Sequence, residues 1–162
     1  KNIYAIGDVN GRHMFTHTAN REAMIAASNL LHDSKTKMDF STAPHAVFTC
    51  PQIAGVGLTE DQARKDHDIE VGFARYSDTA YGEAMMEEKG FAKAVIEKET
   101  GKILGFHIIG PHAAILIQEA INAMSANGHV PEINAGIHIH PALPELIQRA
   151  VNSILEEDGP AL

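Results

Sequence analysis

The sequence predicts an α+β fold, an antiparallel sheet with flanking helices, on three observations. Residues 91–98 and 103–109 are strand-like runs joined by Glu99-Thr100-Gly101-Lys102, a short glycine-containing turn that reads as a hairpin. Two shorter strand-like runs lie upstream, at 46–49 and 71–76. Two long helical patterns follow the hairpin, over 113–126 and again past residue 145. Strands paired locally, with helices gathered afterwards, make an antiparallel sheet that carries its helices on a face.

Taken in order, Ile3-Tyr4-Ala5-Ile6 is a short buried-strand candidate closed by Gly7-Asp8. A carboxylate at such a strand end, beside a glycine that lets a ligand come close, suits a ribose or ribitol hydroxyl. An ordinary strand-to-loop turn fits the same residues. Residues 16–31 have a helical pattern in Ala19, Ala23, Ile25, Ala26, Ala27, Leu30 and Leu31, with Arg21, Glu22 and Asn29 between. The polar stretch that follows, with Asp33, Ser34, Lys35, Lys37 and Asp39, reads as a loop. It divides the chain into units of 1–40 and 41–162.

The second unit opens on Ala46-Val47-Phe48-Thr49, a strand ended by Cys50-Pro51. A lone cysteine at the end of an apolar strand is more often packing than a reactive thiol. Thr59-Glu60-Asp61-Gln62 is a capping-box start for a helix reaching His67. Val71 and Phe73 alternate with Gly72 and Ala74 as a strand does. The helix over 113–126 is apolar on most sides, through Ala114, Ile115, Leu116, Ile117, Ala120, Ile121 and Met124. Such a helix is usually sandwiched between a sheet and something else, and here a second subunit would serve.

The stretch with the most chemistry is His138-Ile139-His140-Pro141-Ala142-Leu143-Pro144-Glu145. Pro141 restricts His140 to extended geometry, and Pro144 suits the first turn of a helix. That helix shows in Leu146, Ile147, Ala150, Val151, Ile154 and Leu155, an apolar stripe of helical period. Glu145 would sit in its first turn, where the helix dipole favours the ionised form. An ionised carboxylate near an imidazole orients the ring and makes it a better proton acceptor. His140 and Glu145 thus supply half of an acid–base site.

Composition narrows the partners. At 162 residues and 44% hydrophobic the chain is the size of one domain, or one domain with an appended piece. The net charge of -8 disfavours nucleic acid, whose phosphates want a basic surface. No apolar run approaches the ~20 residues of a membrane span, and no signal peptide precedes Lys1. One cysteine, Cys50, gives no disulfide framework and fits a reducing cytoplasm. It also forbids an internal redox-active dithiol. His138 and His140 would share a face of an extended segment, but no third ligand is placed by spacing, so no metal is expected.

Three motifs carry a resemblance. Tyr4-Ala5-Ile6-Gly7-Asp8-Val9 looks like the second flavin-contacting motif of the FAD-dependent pyridine nucleotide–disulfide oxidoreductases. Val47-Phe48-Thr49-Cys50-Pro51-Gln52-Ile53-Ala54-Gly55-Val56-Gly57-Leu58-Thr59-Glu60 resembles the opening of that family's dimerisation domain. His140-Pro141, with Glu145 five residues on, resembles its catalytic histidine–glutamate pair. They occur in the family's order and span nearly the whole chain. Tyr76-Ser77-Asp78-Thr79-Ala80-Tyr81-Gly82 and the His138–Glu145 stretch look closest to mycothione reductase-like enzymes, with dihydrolipoamide dehydrogenase next. Mercuric reductases are similar through the middle but carry a C-terminal cysteine pair, where this chain ends Glu156-Glu157-Asp158-Gly159-Pro160-Ala161-Leu162.

The family's N-terminal FAD fingerprint, its cysteine pair and its NAD(P)-binding domain have no counterpart here; Gly55-Val56-Gly57 lacks the third glycine of a dinucleotide fingerprint. The resemblance therefore implies a C-terminal third: a strand–helix remnant of the FAD domain over 1–40 and the interface domain over 41–162. It implies a homodimer, FAD, NADH or NADPH, and a small disulfide substrate. It further implies that His140 is the acid–base group offered to the partner subunit, oriented by Glu145, with a cis His140–Pro141 bond. Gly7, Asp8, Met14 and Phe15 would face the flavin. The chain alone would be inactive, and a stand-alone, non-catalytic dimerisation module is the alternative.

Overall fold

In the computed structural model the hairpin is the middle of a five-stranded antiparallel sheet. Strands β1 (His45–Val47), β2 (Gln52–Gly57), β3 (Ile69–Arg75), β4 (Phe91–Glu97) and β5 (Ile103–Gly110) lie in the order β1-β2-β5-β4-β3. The structure describes residues 3–33 and 35–156, with side chains through Ile154. Leu155 of the sequence stripe and the thiol-free tail beyond Glu156 lie outside the described side chains. The chain divides into two units, Lys1–Ala43 and Pro44–Leu162.

Strand β2 has no counterpart in the sequence reading. Two glycines interrupt its alternation and a proline precedes it, so its propensity is low. Tertiary packing explains it: Gly55 is paired with His45 on one side and His107 on the other. A Cβ on Gly55 would lie 2.6 Å from His107 Nδ1 and 2.8 Å from His45 Cε1. Only glycine leaves room for both rings.

The register sorts the residues by face. Ala54 and Val56 of β2 stand beside Ile108 and Phe106 of β5, and these beside Ala92 and Ala94 of β4. All are buried. Helix α4 (Ala113–Ser125) covers β2 and β5 on this face, and α6 (Glu145–Glu156) covers β3 and β4. Leu146, Ile147 and Val151 of α6 are fully buried, each worth about 1.5–3 kcal/mol of burial. That anchorage fixes where α6 starts. The opposite face takes Val95, which alternates with Ala94 and Ile96 of the main core, and Leu104, the extra residue of β5 at a bulge. Val95, Ala63 and Ile69 then form a second, smaller cluster beneath α2 (Glu60–Ala63).

Helix α2 is shorter than the expected run to His67. Thr59 and Gln62 make both capping-box hydrogen bonds, at 2.9 and 3.3 Å, yet the helix closes after one turn. Two short helices were not read from sequence, α3 (Ala80–Ala84) and α5 (Val130–Asn134). Asn134 Nδ2 donates to Asn152 Oδ1 at 2.7 Å, tying α5 to α6.

In the first unit, helix α1 (Thr16–Leu31) has the bounds read from sequence. Ile3-Tyr4-Ala5-Ile6 is not a strand: a strand needs a neighbour to complete its ladder, and among the described residues of this unit there is none. Gly7–Asn10 is a single 3-10 turn. The buried Glu22 carboxylate organises it, accepting from the Gly7 amide at 2.6 Å and from Asn10 Nδ2 at 2.8 Å. No described helix is long and apolar enough to cross a membrane.

Candidate functional site

Between α5 and α6 the chain runs as an irregular arm, and α6 supplies the acid at its end. His140 Nδ1 lies 2.8 Å from Glu145 Oε1, and the Ala142 amide donates to Glu145 Oε2 at 3.0 Å. Both carboxylate oxygens are thereby used. The Glu145 side chain is 14% exposed and that of His140 68% exposed, so the acid is set back and the ring stands forward. The His140–Pro141 bond is cis, as is Cys50–Pro51.

A carboxylate only accepts, so His140 donates from Nδ1 and, as a neutral ring, keeps Nε2 as its basic nitrogen. Among the described residues no hydrogen bond occupies that Nε2. The Ala142 amide, and after it the His140 ring, hold the Glu145 carboxyl below the usual carboxylate range. The pair therefore presents a fixed, oriented base to whatever faces the arm.

His138 does not join His140 as a shared ligand pair. Its Nε2 lies 2.7 Å from Glu119 Oε1, on α4, while His140 turns to α6. Among the described residues no group of three His, Cys, Asp or Glu side chains converges as a metal site. Cys50 is exposed and free.

The other candidates lie in the first unit. Gly7 is buried with φ 70°, and Asp8 beside it is exposed, its side chain available to a ligand. Met14 and Phe15 are exposed just ahead of α1. Phe15 occupies the N-cap of this 16-residue helix in extended geometry, and its own side chain gives no cap. An exposed carboxylate and the positive end of a helix dipole are a set that fits a polyhydroxyl chain and an electron-rich ring edge.

Sequence reading missed three contributors: Glu119, the Ala142 amide and Glu22. Glu119 is 19 residues from His138, and no local spacing links them. The Ala142 bond does have a local signal, since a residue three before a helix-starting glutamate is the usual partner of such a carboxylate. Glu22 looked like one polar residue among several on α1.

Comparison with known proteins gives a consistent set. Residues 43–151 match the family model "Pyridine nucleotide-disulphide oxidoreductase, dimerisation domain". The chain is 44% identical over 158 residues to mycothione reductase of Mycobacterium tuberculosis, covering 93% of this chain and 34% of that protein. It is 38% identical over 154 residues to dihydrolipoyl dehydrogenase of Synechocystis, covering 91% and 32%. Among solved structures, the HOCl-induced flavoprotein disulfide reductase RclA from Escherichia coli aligns with a TM-score of 0.82 at 26% identity, over 92% of this chain and 35% of that one. LpdA from Mycobacterium tuberculosis shares the fold, with a TM-score of 0.86 at 24% identity, over 93% and 33%. The chain spans about a third of the length of the curated relatives it matches.

Proposed function

The chain belongs to the pyridine nucleotide-disulphide oxidoreductases, as their dimerisation domain, and from this we propose that it completes the active site of a disulfide-reducing flavoenzyme. In that role His140 carries the proton. It takes one from an attacking thiol and returns it to a leaving thiolate of a small disulfide substrate. A thiol of pKa about 8.5 is mostly protonated at neutral pH, so such help matters, by about 10²–10⁴ in rate. Glu145 orients the ring through the hydrogen bond to Nδ1. The observation that carries this reading is the 2.8 Å His140–Glu145 contact with Nε2 left open on an exposed arm.

The reading needs a second copy of the chain, because His140 points away from its own body. Ile137 and Ile139 precede it on the arm and are exposed, as is Ile115 on α4. These apolar side chains favour a twofold interface at which each arm reaches the partner subunit's site. Relatives named for mycothione and dihydrolipoyl chemistry favour a low-molecular-weight thiol–disulfide pair as substrate.

FAD is the cofactor this reading implies, with NADH or NADPH as its reductant. When bound, FAD would pass electrons from the nicotinamide to the disulfide. Asp8 would accept a hydrogen bond from its ribitol chain, with Gly7 allowing close approach. The backbone at Met14 and Phe15 would face the flavin's pyrimidine edge at the start of α1. Ile3, Val9, Met24, Leu30 and Leu31 are exposed on the same unit, which suits a remnant (1–40) that further chain would cover. A reducing cytoplasm is the compartment such chemistry and a single cysteine suit.

The test is His140→Gln in the full-length flavoprotein. Disulfide turnover should fall about 10²–10⁴-fold with flavin content intact. Unchanged turnover would remove His140 from the chemistry. The 162-residue chain alone, with one cysteine, should show no reductase activity and no flavin absorbance; tight FAD binding by it would contradict the partial site.

A further inference from the structure

The arm that presents His140 has a second attachment besides Glu145. Between Asn134, tied to α6, and Leu143, which is buried, residues 136–141 are exposed with one exception. That exception is His138, whose side chain is 8% exposed. Its Nε2 meets Glu119 Oε1 at 2.7 Å and its Nδ1 meets the Gly136 carbonyl at 3.2 Å. Both neighbours are acceptors. The carboxylate can only accept, so the ring holds it through a proton on Nε2.

The two ends of this contact differ in stiffness. Glu119 stands on α4, which is held to the sheet by buried Leu116, Ile117 and Ala120, so it is a fixed post. The arm is irregular and has no ladder or helix of its own. Among the described residues, the His138 bond to Glu119 is the hydrogen bond that ties residues 136–141 to α4. The Glu145 bond fixes the rotation of the His140 ring, but it does not set the path of the backbone leading to it.

We propose that His138 and Glu119 are positioning residues: their hydrogen bond pins the arm to α4 and so sets the place at which His140 is offered to the partner subunit's disulfide. The proposal rests on the reading of His140 given above. The pair touches no substrate. It acts through His140, and a displacement of about 1 Å in a reacting group is enough to cost about 10²-fold in rate.

Because the pair acts through His140, its effect must vanish when the imidazole is gone. The experiment is a double-variant cycle in the full-length flavoprotein with Glu119→Gln, His138→Phe, His140→Gln and the combinations with His140→Gln. Rates of flavin reduction by NAD(P)H and of disulfide turnover are measured separately. Glu119→Gln keeps the side-chain shape and removes the charge, so it guards against misfolding in the bulkier change; flavin content and Tm are recorded for each. Glu119→Gln and His138→Phe should each lower kcat for the disulfide about 10–100-fold, leave KM for NAD(P)H and flavin reduction unchanged, and add nothing to His140→Gln. If His140→Gln alone has no effect, the reading of the site fails and the latch with it. If His140→Gln is impaired but Glu119→Gln turns over normally, or its loss multiplies with that of His140→Gln, the site stands and the latch is overturned.

Discussion

Gly72 on β3 lies against Ala150 on α6 so closely that a Cβ added to Gly72 would come within 2.0 Å of the Ala150 carbonyl oxygen. Ser153 Oγ reinforces the contact, accepting from the Phe73 amide at 2.8 Å. The sheet and the helix that begins with Glu145 are thus joined backbone to backbone. Gly72→Ala should cost about 1–3 kcal/mol, because a packed helix carbonyl cannot move aside as a flexible side chain would. By displacing α6 it should also weaken disulfide turnover in the full-length protein. Gly101→Ala is the control: its added Cβ meets nothing within 4 Å, and only its φ of 70° is penalised, by about 1 kcal/mol. Denaturant titration of both variants checks the order.

Tyr76 anchors the far side of the core. It is fully buried, its hydroxyl donates to the Pro111 carbonyl at 2.7 Å, and Gly90 and Gly110 press on its ring. Burial pushes its phenol well above the ordinary tyrosine range. Tyr76→Phe keeps the ring and removes one hydrogen bond, leaving a carbonyl unpaired. A loss of about 1 kcal/mol is expected, or about 2–4 °C in Tm by thermal unfolding. Tyr76→Ala should be several-fold worse, because it opens a cavity.

What the sequence shows depends on whether the signal is local. The hairpin strands β4 and β5, helices α1, α4 and α6, and the His140–Glu145 pair are set by turn chemistry, helical period and a spacing of five residues. All of these are legible along the chain. Strand β2 is not, because its stability comes from neighbours: glycine there is chosen by the rings of His45 and His107 on adjacent strands. Ile3-Tyr4-Ala5-Ile6 shows the reverse case, an apolar run with strand propensity and, among the described residues of its unit, no strand to pair with. His138 was weighed as a metal ligand beside His140, and only the three-dimensional path of the arm shows that it turns to Glu119 instead.

Stability should fall with acid in two steps. Burial, and after it the nearby His45 and Lys93 charges, push the His107 imidazole down, although its contact with the Leu58 carbonyl opposes this. Its folded form resists protonation, so the unfolded chain binds more protons once pH drops below about 6.5, and stability declines from there until the folded ring also protonates. Glu60, held down by Lys93 and Arg64, and Glu145 contribute the second step. Their stabilisation is present above the unfolded carboxylate value and is lost as pH falls through the depressed folded values. A Tm series from pH 8 to 3 should show both steps. His107→Asn should abolish the upper one; an unchanged slope between pH 7 and 5 would exclude His107 as its source.

The last prediction concerns what Glu145 does for His140. Its two oxygens serve different masters, Oε1 the ring and Oε2 the Ala142 amide, and the amide is the larger cause of its depressed pKa. The carboxylate therefore stays ionised at any pH where a thiol exchange enzyme would work, and loss of activity between pH 7 and 5 reflects other groups. Glu145→Gln offers one oxygen where two are needed, and no charge. Turnover should fall by about 10²-fold, less than for His140→Gln because the imidazole survives. Lowered disulfide turnover in Glu145→Gln with flavin content unchanged identifies Glu145 as the group that holds the ring in place; turnover equal to that of the parent removes it from that role.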